Sequence, residues 1–244
     1  MELTPKVEFL GATFDLSVII GSLLTAVIVF VISILATRGR KMVPTGLQNI
    51  VEMIIDFSRS ITRMSFSHKD AEKYLAFTFT LFLFIFVANQ MGVIMMVSAE
   101  ATAPIPELGI TAELWAKEQS VAWLKSPTAD LSVAFTMAIA IALFANFMGI
   151  RKSFKNYVKH FINPLGPIHV IEEFSKPVTH AMRLWANIFA GEVLILIMLE
   201  APKYISGVPL LVWIGFSVFV GAIQAYIFTV LANVFIAQKV NSDH

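Results

Sequence analysis

The sequence predicts an all-α membrane protein. We expect about five membrane-spanning helices, of which the last two are long, strongly tilted and connected as a hairpin, and one amphipathic helix at the inner surface. Hydrophobic residues make up 57% of the 244 residues and charged residues only 14%, against ~45–50% and ~25% in typical soluble domains. A soluble protein could not cover so much apolar material with so few charges. Residues 1–244 are expected to form a single membrane domain.

Charge-free stretches locate the predicted spans. A helix needs about 20 apolar residues to cross the hydrocarbon core of a bilayer, and uncharged segments of this length recur along the chain. The predicted spans are residues 16–37, 74–98, 130–150, 169–199 and 209–238. No segment alternates polar and apolar residues as a half-buried strand would, and no internal repeat is visible.

An amphipathic helix is predicted at residues 47–64, between the first two spans. Its apolar residues recur at helical spacing and its charged residues, such as Asp56, Arg59 and Arg63, fall on another face. Such a helix lies in the membrane interface. The loop 99–129 is expected to be solvated and to contain a short helix.

The distribution of lysine and arginine predicts the orientation of the chain. The loops on one side of the predicted spans hold twelve of these residues and the loops on the other side hold four. Because cytoplasmic loops carry the excess, we expect the N-terminus outside and the C-terminus in the cytoplasm. The N-terminal region lacks the features of a cleaved signal peptide and of a basic transit peptide, which favours a retained first span and a bacterial plasma membrane.

The composition excludes several functional classes. A net charge of +1 provides no basic field for nucleic acid. Without cysteine there is no disulfide, thiolate nucleophile or thiolate zinc site, and the five histidines form no His-Glu-x-x-His motif. We therefore expect no nucleic-acid partner, no metal, no cofactor and no enzymatic activity of the chain on its own.

The last two spans are longer than a membrane crossing requires. Thirty helical residues extend about 45 Å, whereas the hydrocarbon core is about 30 Å thick. Both helices are therefore expected to tilt or bend strongly, with residues 201–209 as the loop between them.

Arg183 is the residue that fits a membrane span least. It lies near the middle of the fourth span, where an arginine costs roughly 2.5–3.5 kcal/mol on insertion scales. Glu192 falls on the opposite side of the same helix, and Glu172 lies about 16 Å away along its axis. Residues 131–150 and 209–238 contain no acid. We expect a counter-ion on another protein, with water in an aqueous cavity as the alternative.

Two laterally offset polar zones are predicted around Arg183. The inner zone shares its face of the helix and comprises His169, Glu172 and Asn187. The outer zone comprises Glu192, Ser217, Asn89 and Asp130. If the hairpin turns near residue 204, Gln224 lies beside Arg183 and can hold it by hydrogen bonding without neutralising it. Two offset zones carry ions only if a second, moving component bridges them.

These residues form a pattern that resembles a known family. The run Arg183-Leu-Trp-Ala-Asn187-Ile-Phe-Ala-Gly191-Glu192 follows Ser175-Lys176-Pro177 and precedes Gln224-Ala-Tyr-Ile-Phe. Together with Asn89 and Pro127-Thr-Ala-Asp130-Leu, this pattern is similar to that of subunit a of the rotary, F-type ATP synthases. The resemblance covers most of the chain beyond about residue 40.

The resemblance implies a function and partners. Arg183 would be the essential stator arginine that faces a rotating ring of subunit c, and the ring carboxylates would supply its counter-ion. Two offset half-channels would deliver protons to and from those carboxylates, coupled to ATP synthesis. Asn187, Glu192 and Gln224 match the family pattern, whereas some relatives have histidine at the position of Ser217 and an acid at that of His169. The implied partners are the subunit c ring, the peripheral-stalk subunit b, the rest of the complex and the lipid bilayer.

Three other functional classes fit the sequence less well. A stand-alone channel or secondary transporter would need a continuous polar path and, for the transporter, usually an internal repeat. An intramembrane enzyme would need a nucleophile with its base, or metal ligands. A purely structural anchor would not retain Arg183 in mid-span.

Overall fold

The computed structural model describes residues 3–9, 11–38, 42–154 and 166–240. Seven α-helices have their bounds within these ranges. In chain order, α1 to α7 are Leu16–Thr37, Leu47–Ser65, His68–Ile94, Ala112–Lys117, Leu131–Lys152, Gly166–Glu200 and Lys203–Val240. Four short strands, β1 to β4, are Lys6–Phe9, Ala12–Asp15, Val97–Glu100 and Ser120–Leu124.

Five of these helices, α1, α3, α5, α6 and α7, are long and apolar enough to cross a membrane. The predicted fold class is therefore confirmed. The third helix begins at His68, earlier than the predicted 74, because its first turn is charged rather than apolar: Lys73 Nζ pairs with Asp70 Oδ1 at 2.7 Å in an exposed position. The length of an uncharged segment thus identifies the membrane span, but it does not include a helix turn that is polar.

The core lies where α3, α5, α6 and α7 meet, and small side chains line it. Ala134, Ala181 and Ala225 are fully buried at these contacts. In a membrane, small residues allow helix backbones to approach closely, so that van der Waals packing holds the helices together. The hydroxyl of Thr78 donates to Asn233 Oδ1 at 2.8 Å and ties α3 to α7.

Helices α6 and α7 lie side by side in opposite directions. Lys176 Nζ donates to Gln238 Oε1 at 3.2 Å, and the Trp213 indole donates to the carbonyl of Gly191 at 3.2 Å. Only Ala201 and Pro202 separate the two helices. The connection is therefore shorter than the predicted loop at 201–209.

Helix α7 begins at Lys203 and not at Pro209, where the sequence analysis placed its start. The backbone N–H of Ser206 donates to the carbonyl of Pro202 at 3.1 Å, so the first turn forms directly after Pro202. Pro209 lies inside the helix and removes one backbone hydrogen bond from its second turn.

Helix α2 matches the predicted amphipathic segment closely. Val51 and Ile61 are buried, whereas Met53 and Asp56 are exposed. Arg59 ties the helix to the next one, because its Nε lies 3.0 Å from the carboxylate of Glu72 on α3. The charged face of α2 and the first turn of α3 thus form one polar surface.

The sequence shows no strand alternation, yet four short strands form outside the long helices. β1 pairs with β2 and β3 with β4, both antiparallel. Leu3 joins β4 through the N–H of Leu3, which donates to the carbonyl of Ser120 at 3.0 Å, and the N–H of Ala122, which donates to the carbonyl of Leu3 at 2.8 Å. Strands of four or five residues are too short to display a clear alternation. The predicted short helix of this loop is α4.

Candidate polar site between the membrane helices

Arg183 lies on an exposed face of α6 in this chain. Thr179 and Ala186, which lie on the same face one turn before and one turn after it, are also exposed. Within the described residues, no carboxylate oxygen comes within 4.0 Å of the guanidinium and no hydrogen bond reaches it. In this described part of the structure, the one cation in the middle of α6 is thus displayed on an exposed face without a counter-ion from its own chain.

Gln224, which the sequence placed beside Arg183, hydrogen-bonds to Asn187 instead, one turn further along α6. Asn187 Nδ2 donates to Gln224 Oε1 at 2.9 Å, and Gln224 is only 2% exposed. This bond satisfies the Gln224 carbonyl oxygen, whereas the buried Gln224 Nε2 has no hydrogen-bond partner. The described residues contain no hydrogen bond between Gln224 and Arg183.

A cavity of about 240 Å³ lies between α3, α6 and α7, on the Glu192 side of Arg183. Its polar lining consists of Asn89, Asn187, Glu192, Trp213 and Ser217, and the remaining lining is apolar. Three of the four residues predicted for the outer zone therefore meet here. The cavity also reaches Asn187, which the sequence analysis assigned to the inner zone.

Glu192 is held at the wall of this cavity. It is 9% exposed, and its Oε1 accepts a hydrogen bond from the backbone N–H of Ser126 at 3.2 Å. A Cβ on Gly92 of α3 would lie 1.8 Å from the same oxygen. The carboxylate therefore occupies space that exists only because residue 92 has no side chain.

Two buried hydroxyls connect this region to α3. Thr128 donates to Asn89 Oδ1 at 2.7 Å, and Asn89 Nδ2 donates to the carbonyl of Gly221 at 2.9 Å. The Ser126 hydroxyl donates to the carbonyl of Ala88 at 2.9 Å and lies 2.8 Å from that of Thr128. Asn89 thus has both ends of its amide engaged while it lines the cavity.

Asp130 does not join the other outer-zone residues. It caps α5 by accepting a hydrogen bond from the backbone N–H of Ser132 at 2.9 Å. Its Oδ2 lies 3.9 Å from Lys125 Nζ, which also pairs with Asp15 at 3.0 Å. Asp130 is therefore not among the residues that line the Glu192 cavity.

The carboxylate of the inner zone is more exposed than that of the Glu192 cavity. Glu172 is half-exposed and its Oε2 lies 3.4 Å from Lys176 Nζ, while the side chain of His169 lies outside the described part of the structure. The neighbouring Glu173, which the sequence analysis passed over, pairs with Lys239 of α7 and accepts a hydrogen bond from Asn146 of α5. Over the described ranges, no three His, Asp or Glu residues are grouped as metal ligands would be.

The sequence analysis missed Ser126 and Gly92 as site residues. Ser126 belongs to an uncharged Ser-Pro-Thr run just ahead of the third span, and Gly92 stands among bulky residues within α3. Glycine in such a setting signals a close approach by another group. No local pattern shows that the approaching group is Glu192.

The fold and the site define the class of the protein. It is a multi-pass helical membrane protein with a polar cavity between its helices and an unneutralised arginine on an adjoining face. Such intramembrane polar residues mark an ion pathway rather than a structural core.

Comparison with known proteins identifies the family. The sequence matches the family described as ATP synthase A chain over residues 19–237. It is 34% identical to ATP synthase subunit a of Priestia megaterium, with 99% of this chain and 98% of the relative covered. It is 38% identical to the subunits a of Anoxybacillus flavithermus and Listeria welshimeri, with 98% of each chain covered. The chain belongs to the ATP synthase A chain family.

The family assignment has direct consequences. It implies that the chain is a multi-pass bacterial membrane protein and a proton-translocating subunit of the membrane sector of an ATP synthase. Such a subunit is part of a larger complex and not an enzyme by itself.

Proposed function

We propose that this chain is the stator subunit through which protons cross the membrane, coupled to ATP synthesis, and that Arg183 separates two offset half-channels. The observation that carries the proposal is the exposed guanidinium of Arg183, for which the described residues offer no counter-ion. A carboxylate on each subunit of a rotating subunit c ring would supply that counter-ion at mid-membrane. An arginine without such a partner would be costly at this depth.

The outer half-channel is assigned to the Glu192 cavity. Its polar groups, from Glu192 and Ser217 to Asn187, would lead a proton towards the exposed face that carries Arg183. Asp130 would contribute at the outer entrance. A proton that reaches a ring carboxylate neutralises it, and a neutral carboxyl enters lipid at a much lower desolvation cost than a charged one.

The inner half-channel is assigned to the face that carries His169 and Glu172. As a ring carboxylate approaches Arg183, the guanidinium favours its charged form, so the proton leaves towards the inner side. The same positive charge opposes direct passage of a proton between the two zones. A membrane potential supplies about 2.3 kcal/mol per proton per 100 mV, which drives the ring in one direction.

The proposal includes the orientation and the partners. The N-terminus and the β hairpins would lie outside the bacterial plasma membrane, and the C-terminus and α2 on the cytoplasmic side, as the lysine and arginine distribution predicts. The partners would be the subunit c ring at the α6–α7 face, the peripheral-stalk subunit b and the rest of the complex.

Arg183→Ala tests the proposal. Loss of the guanidinium should abolish ATP-driven proton pumping in membrane vesicles, because nothing then separates the half-channels. It should also raise the passive proton leak through membrane sectors stripped of their soluble part. Arg151→Ala is the matched control, since Arg151 is an exposed arginine at the end of α5. Full coupling in Arg183→Ala would overturn the stator role.

A further inference from the structure

We infer that residues 125–130 and Gly92 form a clamp that fixes the carboxylate of Glu192, and that Ser126 and Gly92 are positioning residues for proton transfer. The inference rests on the proposed role of Glu192 in the outer half-channel. It adds that Glu192 works from a fixed position rather than as a swinging side chain.

Two neighbouring groups of the clamp meet the same oxygen of Glu192. The N–H of Ser126 donates to Oε1 at 3.2 Å. Gly92 provides the space beside it, where a Cβ would stand 1.8 Å from Oε1 and 2.9 Å from the Cβ of Ser126. A backbone donor cannot rotate away as a side chain can, so one carboxylate oxygen is kept at a defined point of the cavity wall.

Buried hydrogen bonds keep the donor itself in place. Ser126 and Thr128 are fully buried, and their hydroxyls bond to the carbonyl of Ala88 and to Asn89 Oδ1. Both acceptors precede Gly92 on α3 by less than two turns. The two halves of the clamp are therefore fastened to the same stretch of one helix and move as a unit.

Helix α1 forms the back of the clamp. Lys125 Nζ lies 3.0 Å from Asp15 Oδ2 at the start of α1, and both side chains are largely shielded from solvent. Six residues further on, Gly21 faces the carbonyl of Lys125, because a Cβ there would approach it to 2.9 Å. Residues 125–130 are thus wedged between α1 and α3 before they reach Glu192.

The decisive experiment fills the space beside Gly92 that the Glu192 carboxylate occupies. Gly92→Ala places a methyl group where Oε1 lies, so ATP-driven pumping per assembled complex should fall about tenfold, as expected for losing a hydrogen bond to a charged group. Glu192→Asp in the same chain withdraws the carboxylate by about one C–C bond length, ~1.5 Å. The double variant should therefore pump faster than Gly92→Ala alone. Gly207→Ala is the matched control, because no atom lies within 4 Å of a Cβ at that position.

The outcomes separate the clamp from the proposed function. Normal pumping in Gly92→Ala, or a double variant no faster than Gly92→Ala, would overturn the clamp. If Gly92 had only a structural role, Glu192→Asp would not restore pumping in the Gly92→Ala chain. The shorter acid relieves only the contact between residues 92 and 192. Normal pumping in Glu192→Gln would instead overturn the proposed role of Glu192.

A second variant decides the matter if Gly92→Ala fails to assemble. Thr128→Val keeps the shape of the side chain and removes the hydroxyl that bonds to Asn89, whereas Thr128→Ser keeps the hydroxyl. We expect severalfold slower pumping in Thr128→Val and near-normal pumping in Thr128→Ser. Equal rates in the two variants would contradict the clamp.

Discussion

Several polar residues inside the bundle are hydrogen-bonded in pairs, whereas the exposed Arg183 is not. Asn187 bonds to Gln224, Thr78 to Asn233 and Thr128 to Asn89 across helix contacts. These pairs satisfy groups that would otherwise lose their hydrogen bonds on leaving water. Arg183 has no such partner in the described part of the chain. A mid-span cation for which the described part of the chain offers no counter-ion indicates function rather than a packing defect.

Substitutions at Gln224 test whether the hydrogen-bond partner of Asn187 has to be uncharged. Gln224→Glu would put a carboxylate one helical turn from Arg183 and provide an internal counter-ion that competes with the ring. We expect ATP-driven pumping to fall more in Gln224→Glu than in Gln224→Met, which has a similar size and no charge. A larger loss in Gln224→Met, which lacks the oxygen that accepts from Asn187, would show that this hydrogen bond matters more than the absence of charge.

The sequence reveals some of the site residues and hides others for a physical reason. Arg183 and Glu192 are visible because a charge within an apolar segment is costly wherever the chain folds. Ser126 and Gly92 act only through contact with Glu192, and 66 positions separate Ser126 from it. Their role depends on how α3, α6 and the turn before α5 pack together, which no local periodicity encodes.

At the scale of helices, apolar length predicts how many spans exist but not where each helix ends. The start of α7 at Lys203 shows the limit, because proline is tolerated both just before a helix and inside one. Pro202 takes the first role and Pro209 the second. Hydrogen bonds of the first turn, which composition does not reveal, decide between them.

The first half of α6 and the C-terminal end of α7 are joined by the pair Glu173–Lys239. Their side chains are 24% and 16% exposed, and Asn146 of α5 also bonds to Glu173. Lys239→Met should leave the Glu173 carboxylate without its cation and cost about 2 kcal/mol. We expect the melting temperature of the purified chain in detergent to fall by about 4–8 °C.

The matched control for this prediction is Lys73→Met. Lys73 pairs with Asp70 in a position where its own side chain is 70% exposed, so its removal should change the melting temperature very little. Equal shifts in the two variants would show that the Glu173–Lys239 pair contributes nothing special to the α6–α7 contact.

The whole molecule has a polar surface at each end. β1–β2, β3–β4 and α4 cover the end that includes the N-terminal strands, and α2 with the first turn of α3 covers the other. The strong tilt expected for α6 and α7 stays a prediction, as does the assignment of the two ends to the two sides of the membrane.

Single-cysteine variants test the orientation cleanly, because the natural sequence contains no cysteine. Thr13→Cys on β2 and Asp56→Cys on α2 both lie at exposed positions. A membrane-impermeant maleimide added to intact spheroplasts should label Thr13→Cys and spare Asp56→Cys. Labelling of both should appear only after permeabilisation, and the reverse pattern would invert the topology.

The bonds between α1 and β4 constrain how the chain is made. Ser17 donates to the carbonyl of Ala122, its partner 105 residues later, and Asp15 pairs with Lys125. During synthesis, α1 therefore enters the membrane long before the strand that will hold it has left the ribosome. Both partners nevertheless precede α6 and α7 in the chain, so the residues that form the wall behind Glu192 leave the ribosome before Glu192 itself.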